Sequence, residues 1–178
     1  MPRLSYAIPS DSTAERIRNR RGGILTPLDK LLSHNDALAA GWNTLLGAVR
    51  QEFSIRDDIR ELIILRVAVL NDAEYEWAAH VDLGTRFGLD RSLLDLLREG
   101  APSGTGHPEF DAVIVYTDEM TRDVSVSEPT FERLRTYFSE TEIVELTATI
   151  ASYNMVSRFL VALGVTASDR EPVLSPNA

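Results

Sequence analysis

The chain has 178 residues, of which 44% are hydrophobic and 25% are charged, so its length suits one folded domain with a sizeable core. Its formal net charge of -9 repels phosphate backbones, and no basic stripe with interleaved aromatic residues compensates, so we expect no nucleic-acid partner. It contains no cysteine, which excludes disulfides, thiolate metal sites and every mechanism that needs a redox thiol.

The first 24 residues include four arginines ahead of paired glycines, in AERIRNRRGG, and show little apolar periodicity. We predict that residues 1–24 form an arm over the surface, able to wrap a neighbouring subunit. The start lacks the regions of a signal peptide, and the most apolar run, LIILRVAVL, is interrupted by Arg66 and too short to span a bilayer. We therefore expect a cytoplasmic protein with no membrane partner.

From Leu25 onward the pattern is helical, without the sustained alternation that is typical of strands, which predicts an all-α domain over residues 25–165. A short helix precedes a break at residues 33–36, and the next helix reaches about Gln51. The helix that follows is apolar nearly all round, which indicates burial, and Ser54 and Asp57 have the spacing of a capping box at its start.

A tight turn is predicted at Asn71 and Asp72, with Asp72 as the N-cap of a helix that ends near Gly88. Further helices are predicted up to residue 165. Their expected caps and stops are Asp90, Gly100, Pro129, the box of Ser139 and Glu142, and Gly164. The tail, residues 166–178, is polar and carries prolines, so we predict that it is loose.

The helices on either side of Asn71 predict a hairpin that sets Glu61 opposite His80. Glu61 lies ten residues before the turn and His80 nine after it, so both lie roughly 14 Å from the bend. A carboxylate bound to one imidazole nitrogen leaves the other nitrogen oriented for proton transfer, as general acid/base catalysis requires, and Glu76 lies one turn before the histidine. On spacing alone, a buried pair with only a structural role is the commoner arrangement. Glu76 and His80, with Glu61 nearby, can also ligate a metal ion, but neither an H-E-x-x-H nor a Glu-x-x-His motif is present, so we expect no metal.

Other residues near the hairpin are candidates for binding a substrate. Arg60 and Arg66 can receive a substrate carboxylate, although ion pairs with nearby acids are the commoner use of such arginines. Tyr75 and Trp77 can stack on a ligand or pack in a core or an interface. His34 can line the mouth of a pocket or simply mark a helix break.

The segment RELIILRVAVLNDAEYEWAAHVDLGTRFGL, residues 60–89, resembles the signature hairpin of the carboxymuconolactone decarboxylase family, which shares its fold with alkyl hydroperoxidase D. The resemblance implies an all-helical bundle with a central antiparallel hairpin, and a homo-oligomer that is a dimer, trimer or hexamer. In the peroxidase branch a glutamate, a C-x-x-C pair and a histidine form a proton relay. The glutamate matches Glu61 and the histidine His80, whereas the cysteine positions carry Ala73 and Glu76, so thiol peroxidase chemistry is excluded.

The cysteine-free branch, whose namesake decarboxylates an unsaturated lactone in aromatic catabolism, is the better match through residues 75–80. It implies a cofactor-independent carboxy-lyase acting on a small unsaturated acid or lactone, with His80, Glu61 and Glu76 in the catalytic roles. The same residues suit an isomerase or hydrolase of a related lactone. A second hypothesis is a non-catalytic, oligomeric ligand-binding protein of this fold. The sequence leaves the substrate and the pathway open.

Overall fold

The computed structural model describes residues 2–100 and 104–170. No strand occurs in these residues, which confirms the predicted all-α class. The helices are α1 (Asp11–Arg21), α2 (Pro27–Leu32), α3 (Asp36–Gln51), α4 (Asp57–Leu70), α5 (Glu74–Arg86), α6 (Arg91–Glu99), α7 (Pro108–Arg122), α8 (Glu128–Arg135) and α9 (Glu140–Ala162), followed by a 3₁₀ helix (Ala167–Asp169). None of these helices is both long enough and apolar enough to cross a membrane.

Helix α4 is the centre of the fold. It packs against α5, α7 and α9, and every residue from Ile59 to Ala68 is buried. This matches its sequence, which is apolar nearly all round and so has no face suited to water. The hairpin is therefore built on a fully packed central helix, and α5 lies antiparallel beside it.

The turn between α4 and α5 is fixed by α9. Asn71 donates hydrogen bonds from Nδ2 to Ser157 Oγ at 2.7 Å and to Asn154 Oδ1 at 3.0 Å. Asp72 has a φ of 52°, in the left-handed region. The prediction that Asp72 caps α5 is wrong: the N-cap is Ala73, and no side chain bonds to the first turn.

The start of α4 also differs from the predicted capping box of Ser54 and Asp57. The N-cap is Arg56, without a side-chain cap. Ser54 is instead bound by α9, because Glu145 Oε2 accepts hydrogen bonds from Ser54 N and Oγ, both at 2.8 Å, and from Ile55 N at 3.0 Å. A tertiary contact replaces the local cap here. By contrast, the box of Ser139 and Glu142 is present as predicted, and so is the cap at Asp90.

Both ends of the described chain are more ordered than the sequence predicts. The region predicted as an arm contains α1, which packs on α3 and buries Ile17. At the other end the 3₁₀ helix packs against α5, and Arg170 donates a hydrogen bond to the backbone oxygen of Ala78. This part of the predicted loose tail is therefore folded, while residues 171–178 lie outside the described residues. Both terminal segments lie close to the hairpin.

Gly84 allows α5 to approach its neighbours closely. A Cβ at this position would lie 3.0 Å from Leu65 Cδ1 and 3.1 Å from Leu89 Cδ1. Because such contacts are tighter than normal packing, we expect Gly84→Val to lower the free energy of unfolding by about 1–3 kcal/mol in urea titrations. The control is Gly41→Ala on α3, where no atom crowds the position, and a gain of up to about 1 kcal/mol is expected. Unchanged stability of Gly84→Val would contradict the close packing.

Candidate active site

Glu61 on α4 and His80 on α5 meet in the interior of the hairpin. Nδ1 of His80 lies 2.6 Å from Oε2 of Glu61, and the two residues are only 4% and 1% exposed. Because an ionised carboxylate only accepts hydrogen bonds, Nδ1 is the donor. The imidazole is thus held by one nitrogen, and its other nitrogen, Nε2, is left for further contacts.

The free nitrogen of His80 faces an acidic neighbour, and a tyrosine packs against the ring. Nε2 lies 3.6 Å from Oε2 of Glu76, which is beyond hydrogen-bond distance and within the range of an electrostatic contact. Tyr153 on α9 meets the imidazole edge to face, with ring centroids 5.5 Å apart and planes at 90°. Three helices therefore restrict the orientation of one ring.

His80 lines a cavity of about 530 Å³, which is large enough for a small organic molecule. Its walls include apolar side chains from the α1–α2 connection, α3 and α9, with the hairpin on another side. The polar lining residues are Arg20, Arg21, Thr26, Arg50, Tyr75, Glu76, His80, Tyr153 and Arg170. Within the described residues, no group of three histidine or acidic side chains is arranged to hold a metal ion.

The cavity carries more positive than negative charge, although the whole chain is acidic. Electrostatic interaction with Tyr153, followed by the charges of Glu61 and Glu76, outweighs burial and raises the pKa of Arg50 above its usual value. Arg50 therefore remains a cation in the wall of the same cavity as His80. Burial raises the pKa of Tyr153 above that of a free tyrosine, and raises that of Tyr75 to about 12, so both phenols stay neutral and can donate.

Glu76 is buried, and this burial raises the pKa of its carboxyl group. The positive charges of His80, Arg21 and Arg50 oppose this rise, while the charge of Glu61 adds to it. The net effect favours the protonated form of Glu76 compared with an exposed glutamate. The site therefore places the carboxylate of Glu61 at one imidazole nitrogen and a carboxyl group with a raised pKa near the other.

We expect Glu76→Gln to raise the free energy of unfolding more at about pH 8 than at about pH 4. The folded-state pKa of Glu76 lies above its unfolded value, so folding takes up a proton. The corresponding stabilisation is fully present below the unfolded pKa and is lost as pH rises through the folded pKa, whereas glutamine does not ionise. Denaturant titrations across this range, with Glu74→Gln on the exposed side of α5 as control, measure the difference. An identical effect at both pH values would refute the raised pKa of Glu76.

Tyr75 is the one predicted substrate-binding residue that the structure brings to the cavity; the other four lie elsewhere. Trp77 packs under Arg98, whose guanidinium carbon lies 4.4 Å from the ring centroid. The remaining three already hold protein partners: Arg60 pairs with Asp57, Arg66 binds Asp118, and Nε2 of His34 contacts the backbone oxygen of Ser5 at 2.8 Å. Arg60 and Arg66 thus pair with acidic residues of the protein, which is the commoner of the two uses considered for them.

Sequence reasoning missed the arginines and aromatic residues that complete the cavity. Arg20 and Arg21 were noticed as part of a basic arm, but no pattern indicated that α1 folds back onto α3. Arg50 comes from α3, which directly precedes the hairpin, and Tyr153 comes from α9, far from the hairpin in the chain. Only the four closely spaced arginines before the paired glycines gave a signal, and it was assigned to the surface.

Comparison with known proteins identifies the hairpin and its surroundings. Residues 36–118 match the model of the carboxymuconolactone decarboxylase family. Over that segment, which is slightly less than half of the chain, this protein is similar to the family. The matched region contains α3 to α6 and most of α7, and hence Glu61, Glu76 and His80. A comparison with curated protein sequences finds no match.

Solved structures extend the family's fold over nearly the whole chain. An alkylhydroperoxidase AhpD core, an uncharacterized peroxidase-related protein from Ralstonia eutropha JMP134, is similar with a TM-score of 0.79 and 17% identity, over 92% of this chain and 90% of that one. A variant of the debrominase Bmp8 in complex with 2,3,4-tribromopyrrole is similar with a TM-score of 0.74 and 16% identity, over 93% of both chains. A peroxidase-related protein from Silicibacter sp. TM1040 has a TM-score of 0.71 and 19% identity, over 87% of this chain and 82% of that one. At these identities the likeness establishes the AhpD-like fold alone, as predicted.

Proposed function

We propose that this protein is a cofactor-independent carboxy-lyase that acts by acid/base catalysis on a small unsaturated carboxylic acid or lactone. The observation that carries the proposal is the 2.6 Å contact between His80 Nδ1 and Glu61 Oε2 at the wall of the cavity. The positive charge of the cavity suits an acidic substrate. The absence of cysteine removes the thiol that peroxide reduction by a C-x-x-C pair needs.

In the proposed reaction, the bond between the substrate carbon and its carboxylate breaks, and carbon dioxide leaves. The electron pair of that bond passes into the conjugated system of the substrate as an extended enolate. The cation of Arg50 stabilises this charge, because it is fixed in place before the reaction begins and needs no reorganisation. His80, protonated on both nitrogens, then donates the Nε2 proton to carbon and is reprotonated by Glu76, which regains its own proton from water.

The other side chains orient and supply this proton donor. Glu61 fixes the imidazole through Nδ1 and stabilises its cationic form. Glu76, whose burial favours the protonated form, stands near Nε2 and returns the proton after each turnover. Tyr153 packs against the ring and restricts its rotation. This division of roles places the donor, its orienting group and its proton source on a rigid hairpin.

The proposal is tested by incubating the protein in D₂O with a panel of unsaturated lactones and their open-chain enol acids. We expect release of carbon dioxide from at least one acid and one carbon-bound deuterium in its product by NMR. Deuterium uptake without release of carbon dioxide would indicate an isomerase instead of a lyase. Binding of panel members with neither change would favour the non-catalytic ligand-binding protein and overturn the proposed reaction.

A further inference from the structure

Among residues 2–100 and 104–170, two buried N–H donors of cavity-lining side chains have no hydrogen-bond partner: Nε1 of Trp42 and Nη2 of Arg20. Both residues line the cavity, and Trp42 is only 6% exposed. Buried donors in folded proteins are nearly always paired, because an unpaired one loses its bond to water without compensation. Two unpaired donors beside the same empty space therefore indicate a missing acceptor.

The guanidinium of Arg20 is held in place by α3. Its Nε donates to Oδ1 of Asn43 at 2.6 Å, and Asn43 is the residue next to Trp42. The stem of Arg20 crosses α3 at Gly47, where an added Cβ would lie 3.4 Å from the arginine Cδ. One edge of the guanidinium is thus bound to protein on the same helix that carries the indole, and Nη2 is left over.

The charge around Arg20 also favours an anion. Burial, followed by the charge of Arg21, lowers the pKa of Arg20 to about 10, so the side chain remains a cation at neutral pH. Arg21 is paired with Asp29, at 2.8 Å between Nε and Oδ2. The acid of that pair only partly offsets the repulsion between the neighbouring arginines, since Arg50 adds to it. An anion bound at Arg20 would relieve this repulsion.

We propose that Arg20 Nη2 and Trp42 Nε1 form a carboxylate-binding subsite, which anchors a small organic anion at the wall formed by α1 and α3. Two unpaired N–H donors from the lining of one cavity, one of them cationic, suit the two oxygens of a carboxylate. The apolar body of the ligand packs against Leu46 and Val156, which line the same cavity. Helix α1 then serves as part of the binding site, and not as a surface arm.

This inference rests on the proposed function, which makes the cavity the substrate site. It adds that the wall formed by α1 and α3 anchors the substrate. His80 lies on α5, so the anchor and the proton donor come from different helices. Anchoring is an equilibrium property, so it is measurable without turnover.

The test is isothermal titration calorimetry at neutral pH with sorbate and with its neutral amide as probes. We expect sorbate to bind at least about tenfold more tightly than the amide, and Arg20→Gln and Trp42→Phe each to weaken sorbate binding by about tenfold while leaving amide binding unchanged. Trp42→Phe keeps an aromatic ring against Phe159, so it removes the donor with little change in packing. The matched control is Arg18→Gln, an exposed arginine of α1 that does not line the cavity.

Two measurements separate a structural effect from a binding effect. Asn43→Ala breaks the bond to Arg20 Nε, and thermal unfolding of all variants without ligand reports any loosening of α1. We expect Trp42→Phe to unfold within a few degrees of the wild type. Equal affinity for sorbate and its amide, absence of sorbate binding, or a loss of affinity in Arg18→Gln equal to that in Arg20→Gln would overturn the subsite.

The same titrations on His80→Gln separate this inference from the proposed function. If His80→Gln still binds sorbate tightly and the wild type turns over no substrate, the subsite is supported and the lyase activity is excluded. If the protein turns over substrate and neither Arg20→Gln nor Trp42→Phe changes the KM, the lyase activity is supported and the subsite is excluded.

Discussion

Replacement of His80 by glutamine is expected to lower kcat by about 10²–10⁴-fold, the range that a positioned general acid contributes. Glutamine has a similar reach and can still donate a hydrogen bond to Glu61, but it cannot release a proton to carbon. Steady-state kinetics on the acid identified by the D₂O panel measure the effect. KM is expected to change little, because the proton is transferred only in the transition state.

The matched control is His107→Gln, because His107 is exposed and packs against Phe110 away from the cavity. It is expected to keep wild-type kinetics. Glu61→Gln tests the orienting role separately: it removes the charge that stabilises the imidazolium, so the activity it retains should shift to a more acidic pH range. An equal kcat for wild type and His80→Gln would remove the histidine as proton donor.

Replacement of Arg66 by methionine is expected to lower the free energy of unfolding by about 3–5 kcal/mol, because it leaves the charge of Asp118 buried without its main partner. Arg66 is fully buried and bidentate, with Nε and Nη2 both 2.6 Å from the carboxylate oxygens of Asp118. It also donates to the backbone oxygens of Leu97 and Gly100. It therefore connects α4, α7 and the end of α6.

Urea unfolding with Arg91→Met as control measures this effect. Arg91 makes an exposed pair with Asp95, for which a loss of only about 0–1 kcal/mol is expected. Arg66→Lys should restore little, because a single ammonium cannot reproduce four hydrogen bonds in a fork. Wild-type stability of Arg66→Met, with weakened ligand binding as its sole effect, would contradict this structural role. It would instead support the role in substrate binding that the sequence suggests for Arg66.

The elements that the sequence predicted well are those with a strong local signal. Helix α4 is apolar all round, and only a central position in the fold satisfies such a helix. Its N-terminal cap was predicted wrongly because Glu145, which lies 91 residues from Ser54, takes over the hydrogen bonds that a local cap would make. Helix α1 was missed because only a narrow stripe around Ile17 is buried and the rest of the helix is polar.

The residues of the candidate site also divide into those with a strong local signal in the sequence and those without one. Glu61 and His80 were predicted to face each other because a hairpin fixes their register, which depends only on distance from the turn. The partners of the arginines could not be predicted. An arginine binds either a ligand or an acidic residue of the protein, and that residue can be distant in the sequence. Arg66 meets Asp118 after 52 residues, whereas Arg20 finds only an amide oxygen and keeps a free donor.

In the proposed reaction His80, held by Glu61, delivers one proton to a substrate carbon inside the cavity. Single-turnover reactions in D₂O, followed by NMR of the product, test it most directly. We expect the wild type to place one deuterium on a single face of the product carbon, and His80→Gln to form this product far more slowly. Deuterium on both faces from the wild type, or the same rate and the same face from His80→Gln, would show that the proton comes from elsewhere.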